Sequence, residues 1–256
     1  MTGRSLGREG VSWFIGTVED RDDPKKLGRI RVRVLNYHTT NKSLMPTEEL
    51  PWAPVLMSVN SSSYQQIGIA PTGIQKGVTV IGMFLDGNDA NQPIILGTLH
   101  GIPGNNINNH DVTLLARETN SIEKEYDSYE PSSAYASKYP FNKVLTTERG
   151  HVIEIDDTPG AERIHVYHKS GTYTEINKDG RQVDKVVNDH FEIILGNDTI
   201  HILGNSTVKI DGNADITVDG NVDLTVGGNF NAQVSGTYTV NSGGNMTFTA
   251  PKIDLN

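Results

Sequence analysis

Along the last quarter of the chain, apolar and polar positions recur in a frame of eight. Glycine marks the frame at Gly196, Gly204, Gly212, Gly220, Gly228, Gly236 and Gly244, and Gly180 fits the same register with Asn188 in the gap. Asparagine follows each glycine from Gly196 onward except Gly236, where Thr237 stands. Four and six residues after the glycines come Ile200 and Ile202, Val208 and Ile210, Ile216 and Val218, Leu224 and Val226, and Ala232 and Val234. His201, Lys209, Thr217, Thr225 and Gln233 separate the members of each pair. Such alternation predicts a half-buried strand. The Gly-Asn step predicts a corner, since both residues tolerate positive φ cheaply.

Each octad is therefore one short strand and one bend. A strand with a single apolar face closes no core alone, so the repeats must stack. Either one chain coils into a solenoid, or three chains wrap together and each gives one side of a triangular prism per octad. Single-chain coils more often repeat every six or nine residues, so a period of eight favours the three-chain prism. Its core is then Ile200, Ile202, Val208, Ile210, Ile216, Val218, Leu224, Val226 and Val234, and its corners are the seven glycines from Gly196 to Gly244. An isolated single tail is not expected to fold, because ordering its residues costs more than two buried side chains per layer return.

Upstream, the pattern is again strand and turn. Trp13 to Val18, Arg29 to Asn36, Trp52 to Met57, Val78 to Leu85 and Pro93 to Leu99 read as five strands, with turn signals at Asp22-Asp23-Pro24 and Asp86-Gly87-Asn88. Five short strands in this space predict a small closed barrel of the oligonucleotide/oligosaccharide-binding (OB) type. Within the second strand Arg29, Arg31 and Arg33 share a face. That face reads as a solvated outer surface or a protein contact rather than a nucleic-acid groove, because no stacking aromatics alternate with the charges.

Composition narrows the function classes. A net charge of −9 argues against a nucleic-acid partner. Part of it lies in the octads at Asp211, Asp215, Asp219 and Asp223, which read as a solvated outer face, with calcium ligation the lesser alternative. There is no cysteine, hence no disulfide or thiol chemistry. No apolar run approaches the roughly 20 residues of a membrane span, so a soluble chain without stable membrane insertion is expected.

The run Gly28 to Val34, then Leu50-Pro51-Trp52-Ala53-Pro54-Val55, Gly77-Val78-Thr79-Val80, Asp86-Gly87 and Gln92 to Gly97, resembles the N-terminal barrel of the central spike proteins of contractile injection machines. That family includes the baseplate spikes of T-even-like phages and the valine-glycine-repeat spikes of type VI secretion. A second block is similar to the neck where the phage spike enters its trimeric prism: Tyr139 to Val144, Glu148-Arg149-Gly150-His151, Asp156 to Gly160 and His168 to Thr172. The resemblance implies an all-β chain with an OB barrel over residues 1–101, a linker over 102–138, neck strands over 139–180 and an intertwined triple-stranded β-helix over 181–256.

It also implies a homotrimeric spike of a phage tail baseplate, assembled in the host cytoplasm, carried in the virion and puncturing the target envelope. The barrel would dock on a ring-shaped tail hub. The blunt end at Pro251, Lys252, Ile253, Asp254, Leu255 and Asn256 would carry a small conical tip protein of the proline-alanine-alanine-arginine (PAAR) repeat class. A type VI or extracellular injection spike, and a cell-wall-degrading tail enzyme, are the alternatives within the resemblance. A ligand-binding barrel gripping nucleic acid or sugar is the rival outside it.

No catalytic, cofactor or metal site is expected. T-even spikes carry a lysozyme domain between barrel and prism, whereas the interval here is too short to build one. It is read as a linker with one short helix over 111–117. Glu118, Asp127 and Ser133 reproduce a phage-lysozyme spacing, but two carboxylates hydrolyse a glycoside only inside a folded cleft. In the neck, His165 is out of phase with Ile164 and Val166 and is expected in solvent, while His168 shares their face and is the one histidine that could join its copies in a three-nitrogen metal site about a trimer axis, the lesser reading beside a structural role. Some relatives hold iron through histidines near the apex; no histidine follows His201 here.

Overall fold

The structure, a computed structural model, describes residues 10–63, 67–100 and 130–253. It divides into a compact unit over 1–191 and a second unit over 192–256. All regular elements of the described residues are strands, apart from two short 3-10 turns at Thr47–Glu49 and Gly87–Asp89.

The first five strands are β1 (Ser12–Asp20), β2 (Ile30–Val34), β3 (Trp52–Ala53), β4 (Thr79–Phe84) and β5 (Pro93–Leu99). They form an antiparallel sheet of order β3-β2-β1-β4-β5. Its two edges then meet. Val55 bridges Ile95 in parallel, the Ile95 N–H donates to the Pro54 carbonyl at 2.9 Å and the Leu56 N–H donates to the Ile95 carbonyl at 2.7 Å. That closure makes the sheet a barrel and removes its open edges. The third strand is shorter than its sequence predicts, because Pro54 has no N–H to continue the antiparallel ladder.

Alternate residues point into the barrel, so the core collects Phe14, Val18, Ile30, Val32, Val34, Ala53, Val80, Phe84 and Ile95. The Phe14 and Phe84 rings lie 4.7 Å apart. Gly82 is required there: a Cβ at that position would stand 2.5 Å from both the Phe14 ring and the Ile94 carbonyl oxygen.

The arginine face of β2 is not a solvated outer surface. The loop after β2 folds back across Arg33, whose guanidinium donates to the carbonyls of Thr39 and Met45 and forks onto Glu19 at 2.8 and 3.0 Å. The Arg33 hydrogen bond is the main reason the Glu19 carboxyl is held down to about 2. Arg29 pairs with Asp23, which also accepts the N–H groups of Lys25, Leu27 and Arg29. Arg31 lies over the Trp52 ring. The guanidinium groups thus organise the barrel's own loops.

A second antiparallel sheet follows, of β6 (Asn142–Thr146), β7 (Val152–Asp156), β8 (Arg163–Tyr167), β9 (Tyr173–Asn177) and β10 (Gln182–Lys185), in sequence order. It continues past Gly180, where the sequence reading ended the neck, because Gln182–Lys185 pairs along β9. Tight turns join the strands. At the β8–β9 turn Gly171 takes φ +94°, a conformation that L side chains rarely adopt.

In the second unit, a bend recurs at each register glycine, at Leu195-Gly196, Leu203-Gly204, Asp211-Gly212, Asp219-Gly220, Gly227-Gly228, Ser235-Gly236 and Gly243-Gly244, and once more at Pro251. Positive φ is not what places glycine at these bends. None of these glycines adopts positive φ, and no atom of the chain lies within 4 Å of where a Cβ would stand on any of them. Within one chain, neither backbone strain nor crowding requires glycine there.

Candidate functional site

The two faces of the second sheet are inverted relative to an ordinary folded sheet. On one face Glu154, Asp156, Arg163, His165 and Glu175 are buried; on the other Ile153, Ile155, Ile164 and Val166 are about half exposed. The register explains how each set is gathered. Ile155 pairs with Ile164 and then Ile176, and Leu145 with Ile153 and then Val166, giving two apolar rows across β6 to β9. One residue along, Glu154 pairs with His165 and then Glu175, forming a polar row on the reverse.

The polar face is covered by the chain itself. Residues 130–138, assigned to a linker from the sequence, run along it as a strap. Ser133 Oγ donates to Glu175 at 2.8 Å and the Ala134 N–H donates to the same carboxylate at 2.9 Å. The Ser137 hydroxyl donates to Asp156, and the Lys138 N–H reaches Thr158 Oγ1 at 2.9 Å. Glu130 binds the Tyr173 hydroxyl and Lys185 at 2.5 Å each. The Tyr135 ring lies 5.0 Å from the Arg163 guanidinium. Ser133, Tyr135 and Ser137 are alternate residues, so the strap reads the sheet with one side of an extended segment.

Arg163 is the centre of this face. Its side chain is fully buried and bridges Glu154 and Glu175, the latter at 2.9 Å. Burial by itself raises the Glu175 carboxyl, but hydrogen bonds from His165, the Ala134 N–H, Ser133 and Arg163 outweigh it and hold the group well below the usual range. Asp156 and Glu130 are lowered the same way, against burial, by the Ser137 and Thr158 hydroxyls and by Lys185 and Tyr173 respectively.

His165 therefore lies inside the polar row, 3.5 Å from Glu175, and not in solvent as its phase had suggested. His168 does share the face of Ile164 and Val166 and is exposed. Ser133, the hydroxyl of the lysozyme-like spacing, belongs to the strap; Glu118, Asp127 and the helix expected over 111–117 lie outside the described residues.

The barrel and the sheet also touch. Arg21 forks onto Glu148 at 2.6 and 2.9 Å, and Gln75 donates to the same carboxylate. The Arg21 hydrogen bond chiefly depresses Glu148, to about 2. A cleft of about 770 Å³ lies at this joint, between the loop Pro71 to Gln75 and the β6–β7 turn. Among its lining residues, Arg21 and Gln75 are both paired with Glu148.

Every octad position expected in the prism core is exposed in the single chain. In the octads after Gly196, Gly204, Gly212 and Gly220 the residue six places after the glycine is less exposed than the one four places after: Ile202 53% against Ile200 77%, and Val218 49% against Ile216 89%. Pro251, Lys252 and Ile253 are exposed, and Asp254, Leu255 and Asn256 lie outside the described residues. No group of three or more histidine or acidic side chains converges as a metal cage among the described residues. None of their helices is long and apolar enough to cross a membrane.

Among the described residues two apolar surfaces stand exposed, one on the sheet and one along the octads. Residues 36–191, more than half of the chain, match the family described as Gp5 N-terminal OB domain. The chain belongs to the Gp5 OB-domain family. Residues 148–250 of this Gp5-family chain match a second family, the bacteriophage T4 gp5 C-terminal trimerisation domain. Both surfaces fall within that match. Protein Gp5 of Vibrio phage KVP40 is 32% identical over 266 residues, covering 77% of this chain and 62% of that protein. The pre-baseplate central spike protein Gp5 of Enterobacteria phage T4 is 44% identical over 97 residues, 36% of this chain and 17% of that protein. The chain thus spans less than two-thirds of these relatives.

Proposed function

We propose that this chain is the central spike of a contractile phage tail baseplate, acting as a homotrimer. The observation that carries the reading is the exposure of the octad residues Ile200 to Val234 within a segment matched to a trimerisation domain. Exposed apolar side chains at this density require a cover, and two further copies of the same surface supply one with closed symmetry. Three octads per layer would bring Ile200, Ile202 and their equivalents together about the axis. Close packing of chains at the bends would then give the corner glycines the crowding that a lone chain lacks. The isoleucine face of the neck sheet would be buried in the same step.

The work of such an assembly is mechanical. A continuous trimeric shaft transmits axial force from a contracting sheath to a narrow front, so the envelope is breached by pressure without bond cleavage. The barrel would seat on the tail hub, and the segment that follows the octads, from Pro251, would contact a small conical tip protein of the PAAR-repeat class. The chain would be a component of the virion and not an enzyme. Light scattering on the purified full chain tests the first step: the expected mass is about 84 kDa, three times 28.0 kDa. A stable 28.0 kDa species with cooperative melting of the octads would refute the reading.

A further inference from the structure

We propose that His151 and His168 form a two-nitrogen chelate for a late first-row divalent metal ion such as Ni²⁺, Cu²⁺ or Zn²⁺. The argument starts from register. Val152 pairs with Tyr167, so His151, immediately before β7, and His168, immediately after β8, are the next cross-strand pair. Directly opposed residues of an antiparallel pair have Cβ atoms about 4.5–5.5 Å apart, close enough for two imidazoles to share one ion. The ring centroids lie 4.5 Å apart with the planes inclined at 46°. Strand alternation puts the pair on the isoleucine face, at the end of the ladder Ile155–Ile164 and Ile153–Val166.

Both rings sit on short turns with fixed backbones. The Thr147 N–H donates to the His151 carbonyl at 2.9 Å, and the His168 N–H donates to the Thr172 carbonyl at 2.8 Å. His168 also has the outer partner that metal-binding histidines use. Its Nδ1 lies 2.8 Å from Ser170 Oγ. With the Nδ1 proton donated to that hydroxyl, Nε2 is left with its lone pair free for a metal. In this structure the Ser170 N–H donates to Nδ1 at 3.2 Å, so binding at Nε2 requires the ring proton to move to Nδ1 and that bond to break.

Ligand chemistry decides the class of ion. Two neutral imidazoles suit Ni²⁺, Cu²⁺ and Zn²⁺, whereas Ca²⁺ and Mg²⁺ need oxygen cages. Arg149 and Lys169 flank the pair in sequence, so charge alone attracts no cation here. The affinity must come from nitrogen donation; His151 and His168 stand beyond the ends of β7 and β8, past the isoleucine rows that a trimer would bury, so solvent completes the coordination. The site belongs to one chain and does not depend on assembly; in a trimer it would occur three times.

Calorimetric titration of the full chain with Ni²⁺, and of Cu²⁺ by its visible absorption, tests the proposal. One equivalent per chain is expected in the micromolar range, with no response to Mg²⁺. His168→Ala and His151→Ala should each abolish that equivalent, and Ser170→Ala should weaken it by about tenfold. His190→Ala and His201→Ala should leave it intact. Equal binding by wild type and the His151→Ala/His168→Ala double variant, or no binding by wild type, overturns the proposal. Mass measured in the same samples keeps the two readings apart. A trimer that ignores Ni²⁺ defeats only the chelate, and a monomer that binds it defeats only the trimer.

Discussion

The barrel and the neck sheet are both five-stranded and antiparallel, but they solve opposite problems. The barrel joins its own edges through Val55 and Ile95 and encloses Phe14, Phe84 and their neighbours, so its core is complete in one chain. The neck sheet stays open, turns its isoleucines outward and encloses Arg163 and three carboxylates under a strap. A chain whose apolar face awaits a second surface cannot also use that face to hold itself together beforehand. The neck uses ionic and hydrogen-bonded contacts for that purpose instead. Such contacts survive exposure to water less well than apolar packing, so the neck should be the more condition-sensitive half.

The largest effect should come from charging the outward face. Ile153→Glu with Ile164→Glu removes nothing from the interior of one chain. It should nevertheless drop the mass in solution from the trimer to the single chain, with the barrel's melting unchanged; retention of the trimer would separate the neck from the interface. Next come the two interiors. Phe84→Ala should cost the barrel about 3–5 kcal/mol through lost burial and the cavity left behind. Arg163→Ala should cost the neck a similar ~3–5 kcal/mol, because Glu154 and Glu175 would stay buried without their cation. Calorimetry should assign the two losses to different transitions.

Acid should divide the halves more gently. Glu175, Asp156 and Glu130 have folded values below their unfolded ones, so the stability they add is complete above the normal carboxylate range and declines as pH falls through it toward their depressed values. A melting series from neutrality down to about pH 3, across that range, should lower the neck transition first. Glu19 shares the sign, held to about 2, but the barrel keeps its apolar core when that pair is lost. The smallest effect is expected from Ser137→Ala, about 1–3 kcal/mol for one hydrogen bond to a carboxylate. Faster proteolytic nicking near the strap, with the barrel's melting unchanged, would report it.

Alternation along the chain made much of the architecture legible. Trp13 to Val18 and Pro93 to Leu99 fall inside strands, and the octad bends fall on their glycines. Alternation says which residues share a face; it does not say which face is covered. That is why His165 and His168 were separated correctly while the side assigned to solvent for His165 was reversed. The same gap hid Arg33, since nothing in Arg29 to Val34 announces that a later loop will fold across it. The strap was missed for a related reason. Ser133, Tyr135 and Ser137 carry a period of two, but a short polar segment rich in serine and alanine looks like a spacer until Glu175 and Asp156 are placed beneath it.

The octads carry one further consequence. Every unit turns at the same place and leaves the same room around its glycine, so no unit is distinguished from its neighbours by fit within the chain. In the trimeric shaft proposed above, length is then a modular quantity. Duplicating or deleting eight residues keeps all later side chains on their faces, whereas adding seven moves every later aliphatic residue to the opposite side. Gene duplication in whole octads therefore gives a lineage a ruler that it can lengthen or shorten without redesigning either end.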